Sequence, residues 1–232
     1  MSASMFSTHL SKFLTYLADK ASSGESTLPS LNDISQELGM SVALLREEVQ
    51  VARTLGLVEV KPRTGIKILP YSFASAIKCS LAYGVRVERK YFRQFSELRN
   101  HIETSYWYQA VGRLMPEDIK ELKDIIQEAN RKLASEPIQI PHAEHRNLHL
   151  TIYKRLENPF VQGILESYWD FYEAVGLSVY EDQEYLERVW SHHREIVEAI
   201  SQGDFQSGYQ SLVAHMDLLF QRNNKNLKFP FE

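Results

Sequence analysis

Apolar residues recur at helical spacing near the start of the chain, in Phe6, Leu10, Phe13, Leu14 and Leu17, which predicts a helix from Met5 to Ala21. The polar run Ser22 to Ser26 ends it. Ser30 then stands as a helix cap before a short helix reaching Leu38, Gly39 supplies a turn, and Ser41 caps a second helix over 42–54. After Gly56 the period changes to alternation, in Leu57 to Val60 and again in Ile66 to Leu69, with Lys61-Pro62-Arg63-Thr64-Gly65 between. This is the pattern of a small β-hairpin. Beyond Pro70 the strand pattern stops, and helices are expected at 73–89, 92–113, 116–135, 142–156, 159–180, 184–202 and 204–224. The breaks fall at Pro116, Pro137, Pro141, Pro159 and the pair Gly203-Asp204.

The expected fold is mainly α. An N-terminal winged helix-turn-helix with a small β-hairpin covers residues 1–70, and an all-α bundle covers 71–232. At 232 residues, 44% hydrophobic and 24% charged, the chain has the makings of two ordinary packed domains, not of a disordered or fibrous protein. The longest weakly charged stretch, Phe73 to Val85, contains Lys78 and falls short of the roughly 20 apolar residues of a membrane span. No membrane association is expected. The N-terminal residues lack a basic start and an apolar run, and Cys79 is the one cysteine, so a cytoplasmic location is expected.

A helix, short helix, turn, helix and wing in that order suit a DNA reader, whose second motif helix enters the major groove. The net charge of −4 excludes a protein that coats nucleic acid over its whole surface. Between Leu28 and Pro70, Arg46, Arg53, Lys61, Arg63 and Lys67 are balanced by Asp33, Glu37, Glu47, Glu48 and Glu59. Phosphate attraction by one copy is therefore weak, and a homodimer on two operator half-sites is expected. A winged helix that binds protein in place of DNA is the alternative.

The residues from Leu28 to Ile68 resemble the DNA-binding half of the GntR regulators. The likeness rests on Leu28-Pro29-Ser30, Gly39-Met40-Ser41, Leu45-Arg46-Glu47-Glu48, Gly56-Leu57-Val58 and the basic, glycine-containing wing. It implies that Ser41, Arg46, Arg63, Thr64 and Gly65 meet double-stranded operator DNA. Asn32 and Val42 depart from it, standing where that family usually has arginines.

Six of the eight histidines lie between His142 and His215. His145 and His149 are spaced i, i+4 and share a helix face, a separation at which two imidazoles can grip one ion. His193 precedes Gly203 by about as many residues as His215 follows it. An antiparallel helix pair turning there would bring the two rings to nearly one level. Ile196 and Leu212 lie near them, and an unpaired ring buried among such residues costs on the order of 1–3 kcal/mol. A shared metal would satisfy all four.

The second half resembles the FadR C-terminal (FCD) ligand-binding domain found behind GntR winged helices. Glu97 to Glu103 match its E-x-R-x-x-x-E helix, His145 to His149 its D-x-x-F-H, His193 to Asp204 its H-x-x-I-x-x-A-I-x-x-G-D, and His215 the histidine of its closing helix. The resemblance implies a divalent metal on His149, His193 and His215, with His145 replacing an aspartate. Such a nitrogen set favours zinc or nickel, and copper or cobalt, over magnesium. It leaves the ion's positive charge uncompensated, which favours a small carboxylate effector. Arg99 matches the arginine lining the effector pocket; a salt bridge with Glu103 is its plainer role. Tyr153, Trp169, Tyr172 and Trp190 are pocket or core candidates, His142 and His192 outer positions, and His101 is unassigned.

The expected function is transcription regulation, not enzymatic. Two alternatives stay open. A three-histidine metal could activate water for hydrolysis, with Glu144 as the nearest base, although Glu144 is next to His145 and points off the shared face. The metal could also itself be the signal, or be purely structural.

Overall fold

The computed structural model describes residues 9–61, 65–174 and 183–223. The chain forms two compact units, Met1–Ser80 and Leu81–Glu232.

In the first unit α1 spans Lys12–Ser22. It starts later than the apolar pattern suggests because Ser11 caps it, its Oγ accepting from the Leu14 amide at 3.1 Å. Leu10 consequently lies outside the helix and is exposed, and residues before His9 fall outside the described ones. The two-residue strand β1, Thr27–Leu28, follows; it is too short to show a period. Next come α2, Leu31–Leu38, and α3, Val42–Thr54. Ser30 and Ser41 cap them as expected, accepting from the Asp33 and Leu44 amides at 3.3 and 3.2 Å. Between them Gly39 takes φ 60°, a left-handed conformation that costs a glycine little.

The wing strands are β2, Val58–Lys61, and β3, Gly65–Ile68. They pair antiparallel with Val58 opposite Ile68, and β1 joins the far side of β3 to give the order β1-β3-β2. The register turns Ile66 and Ile68 inward, onto a core of Phe13, Leu17, Ile34, Leu45 and Ala52. The predicted winged helix is thus present.

The rest is helical: α4 Ala74–Val87, α5 Lys90–Val111, α6 Pro116–Leu133, α7 His142–Tyr153, α8 Pro159–Ala174, α9 Gln183–Gln202 and α10 Phe205–Asn223. The division between units falls within α4. The helix expected to reach residue 180 is described only to Ala174, since 175–182 lie outside the described residues. Pro116 and Pro159 occupy first helical positions, where the missing amide hydrogen costs nothing. Trp107, Leu122, Leu148, Ile152, Ile196 and Leu212 form the centre of one core.

Two features hold this bundle's geometry. Asp118 is fully buried, accepts from the Met115 amide at 2.8 Å, and pairs with Arg155 Nε and Lys154 Nζ, each at 2.7 Å. Arg155 above all holds its carboxyl well below the usual carboxylate range. This cluster fastens the start of α6 to the end of α7. Gly208 on α10 lets the buried Trp107 of α5 approach closely: a Cβ there would lie 2.8 Å from the indole Cζ2 and 3.3 Å from the Ala199 Cβ. Trp107 Nε1 donates to the Phe205 carbonyl at 2.8 Å, so the ring cannot simply swing away.

Gly208→Ala therefore sets a helix-propensity gain of about 1 kcal/mol against an overpacking cost of about 1–3 kcal/mol. Because the neighbour is a rigid, hydrogen-bonded indole, overpacking should win. The expected outcome is a lower urea midpoint, with a net loss of about 1 kcal/mol.

Candidate metal centre

Three helices supply the four histidines. α7 presents His145 and His149 on one face, their ring centroids 5.3 Å apart, because an i, i+4 pair lies one turn apart. α9 brings His193 and α10 brings His215. Gly203, at φ 74°, turns α9 into α10, and the two rings meet with centroids 4.3 Å apart. His145 and His193 lie 4.7 Å apart, closing the group.

All four are buried, with exposures of 6% (His145), 0% (His149), 0% (His193) and 5% (His215). One ligand atom from each lies within 4.8 Å of the others. His149 Nε2 and His193 Nε2 are 3.3 Å apart. A tetrahedral ion with bonds of about 2.0–2.1 Å spaces its ligand atoms about 3.3–3.4 Å apart, so this pair already has a suitable separation.

Burial pushes all four imidazoles well below the usual histidine range, His149 and His215 lower His145 further, His215 lowers His193, and the Arg99 cation lowers all four. At neutral pH they are uncharged rings with lone pairs, the state a metal requires. His145 Nε2, His193 Nδ1 and His215 Nδ1 are buried without a hydrogen-bond partner. Each such atom costs about 1–3 kcal/mol. A divalent transition metal fits these residues: uncharged nitrogen donors, unpaired atoms and a spacing that suits bonding to one ion.

Beside this group lies Arg99, expected from the resemblance to line an effector pocket, and it forms the salt bridge with Glu103 that was its plainer role. Arg99 Nε donates to Glu103 Oε1 at 2.8 Å, and the side chains are 4% and 0% exposed. Arg99 Nη1 donates to Asn100 Oδ1 at 3.1 Å, and Nη2 lies 2.9 Å from His149 Nδ1. Glu103 Oε2 lies 3.2 Å from the same Nδ1. Loss of water pushes the Glu103 carboxyl up to about 7 even though Arg99 pulls it down. The guanidinium stands over the rings of Tyr168 and Trp169, 4.8 and 5.0 Å from their centroids. The Glu103 contact to His149 and the Tyr168 contact were missed in the sequence. Their only trace there is Glu103 at i+4 from Arg99 and Tyr168 beside Trp169.

The other sequence candidates fall around this centre. Trp169 and Tyr172 pack against His145 at 4.5 and 5.7 Å, and Trp190 against His193 at 4.8 Å. The Tyr153 hydroxyl donates to the Glu103 carbonyl at 2.9 Å. His142 is half-buried, and His192 is partly exposed beside Glu195 at 3.3 Å. His101 is exposed. Glu144 Oε1 accepts from Lys132 at 2.7 Å.

In the winged unit Ser41, the cap of α3, and Arg46, within it, are exposed. Arg46 lines a groove with Gln50, Arg53, Leu28 and Gly65. Gly65 opens β3 at φ 80°, and Arg63 and Thr64 lie outside the described residues.

The buried imidazoles make a pH prediction. Their protonated forms are disfavoured in the folded state, so below about 6.5 the unfolded chain binds more protons and stability falls as pH falls. Glu103 opposes them by one proton between about 4.5 and 7. With four imidazoles against one carboxyl, metal-free protein should lose up to about 4 kcal/mol per pH unit below 6.5. Urea unfolding of chelator-treated protein from pH 8 to pH 5 measures this, and a flat profile would contradict it.

Comparison with known proteins bears on both units. No curated protein matches the chain. Among solved structures the chain is similar to the Streptococcus agalactiae GntR, with a TM-score of 0.62 at 15% identity over 90% of this chain and 96% of that one. It is also similar to a transcriptional regulator GntR from Rhodococcus sp. RHA1, with a TM-score of 0.50 at 17% identity over 92% of this chain and 96% of that one. These likenesses concern the fold. The FCD domain model matches residues 94–218, more than half of the 232 residues and all of α7 and α9. That stretch holds Arg99, Glu103 and the four clustered histidines, and the chain belongs to the FCD domain family.

Proposed function

We propose that the protein is a transcription regulator that binds double-stranded operator DNA as a homodimer. Its helical unit holds one divalent transition metal, zinc or nickel, on His145, His149, His193 and His215. Arg99 takes part in binding a small carboxylate effector at the same site.

The observation that carries this reading is the convergence of four buried, uncharged imidazoles, with ligand atoms within 4.8 Å of one another, from three helices. Core packing alone gives no reason to leave His145 Nε2 and His215 Nδ1 unpaired. When bound, the ion supplies a Lewis-acidic positive charge that no carboxylate in the donor set neutralises. The chain's own residues do the rest. α7, α9 and α10 hold the rings, Trp169 and Trp190 keep water away, and Arg99 adds a second positive group within reach of His149.

DNA binding is supported by the winged fold and by Arg46, exposed on the second motif helix where a guanidinium can reach a base edge or phosphate. The balanced charge of the wing region is the reason for two copies. A carboxylate that binds the two operator-affinity states unequally would shift regulation, and one that binds them equally would not.

Two outcomes are expected. Elemental analysis of zinc-loaded, dialysed protein should find about one ion per chain. His193→Ala should weaken uptake by at least the ~10–100-fold typical of losing even an outer-shell partner; full retention by this variant would overturn the four-histidine site. Arg46→Ala should weaken binding to DNA upstream of the protein's own coding sequence by roughly 1–3 kcal/mol, read by gel shift at fixed salt. Unchanged affinity would overturn the DNA-reading role.

A further inference from the structure

We infer that Arg99 and Glu103 compete for one atom, His149 Nδ1, so that metal loading releases one arm of the Arg99 guanidinium and makes it an anion ligand only in the metal-loaded protein. This rests on the metal site proposed above.

Arg99 Nη2 lies 2.9 Å from His149 Nδ1. A guanidinium nitrogen only donates, so this bond uses the Nδ1 lone pair and leaves the proton of the neutral ring on Nε2. That proton has an acceptor: His193 Nε2 stands 3.3 Å from His149 Nε2. The two bonds are mutually consistent and together describe one tautomer.

To offer Nε2 to an ion, His149 must carry its proton on Nδ1 instead. Nδ1–H would then face the N–H of Arg99, donor against donor, at a distance where both cannot remain. The replacement acceptor is already in position, since Glu103 Oε2 lies 3.2 Å from the same Nδ1. A carboxylate that takes the second nitrogen of a ligating histidine fixes its tautomer and raises its basicity.

The guanidinium does not leave with the bond. Nε keeps Glu103 Oε1 at 2.8 Å, and Nη1 keeps Asn100 Oδ1 at 3.1 Å. Tyr168 and Trp169 hold its plane. Only Nη2 loses its partner, buried and beside the histidines, where an unpaired charged donor is costly until it finds an acceptor. A small carboxylate can supply that acceptor, so ion and acid should strengthen each other's binding reciprocally.

The test uses full-length protein with nitrogen-15 in its histidine rings. In zinc-free protein the His149 Nδ1 resonance should lie in the lone-pair range, and on zinc addition it should move to the N–H range. Acetate serves as the carboxylate probe. Arg99→Met should lose about tenfold or more in acetate affinity in the zinc-loaded protein, and nothing in the zinc-free protein. An Nδ1 already protonated without zinc would overturn the inference. So would acetate affinity independent of Arg99 in the loaded protein, or dependent on it in both states. Histidine resonances that ignore zinc would overturn the metal site itself along with it. Should the variant fail to fold, the ring resonances of the unsubstituted protein decide alone.

Discussion

Four imidazoles and one arginine-glutamate pair are kept out of water inside a helical core, and the helical unit is organised around making that tolerable. Ionised groups in such a place must be paired, and polar ones hydrogen-bonded. Arg99 meets the demand through Glu103, Asn100, His149 and two aromatic faces. The histidines meet it only in part. They avoid the larger penalty by losing charge, which leaves them with lone pairs and no water, and that is the chemistry of a metal donor set.

Two buried carboxylates show how environment decides. Asp118 and Glu103 are each 0% exposed. Asp118 meets a backbone amide, an arginine and a lysine whose other faces reach solvent, and its ionised form is favoured. Glu103 has Arg99 as its cation, but the whole group is dry, and desolvation outweighs the pairing. Neither is exposed, yet the shifts are opposite because Asp118 lies close beneath the surface with more donors, whereas Glu103 lies deep. Asp118 serves to fasten helices, whereas Glu103 stands within reach of His149.

The winged unit is built on different terms. Its helix caps, left-handed Gly39 and inward Ile66 and Ile68 follow from local rules, and its charge balance leaves little general attraction for phosphate. Leu44 and Val51 are also exposed on α3, but they lie nearly half a turn round the helix from Arg46.

Much of this was legible in the residues. The 3.6-residue and two-residue periods placed the helices and the wing, and Ser30, Ser41, Pro116 and Pro159 marked helix starts, because capping and proline geometry are local matters. The i, i+4 spacing of His145 and His149, and the near-equal distances of His193 and His215 from Gly203, required only helix pitch to bring each pair together. Other features were not legible. Strand β1 is too short to have a period and exists because β3 offers it a partner. Ser11 moved the start of α1 past Leu10 through a side-chain bond that the apolar pattern does not encode. That the two histidine pairs meet each other, that Trp169 and Trp190 close around them, and that Glu103 reaches His149 across 46 residues depended on how α5, α7, α8, α9 and α10 pack. Sequence by itself determined which side chains share a helix face, since that follows from backbone geometry. Tertiary structure decided which faces meet and which nitrogens lose their water, since that follows from packing among distant segments.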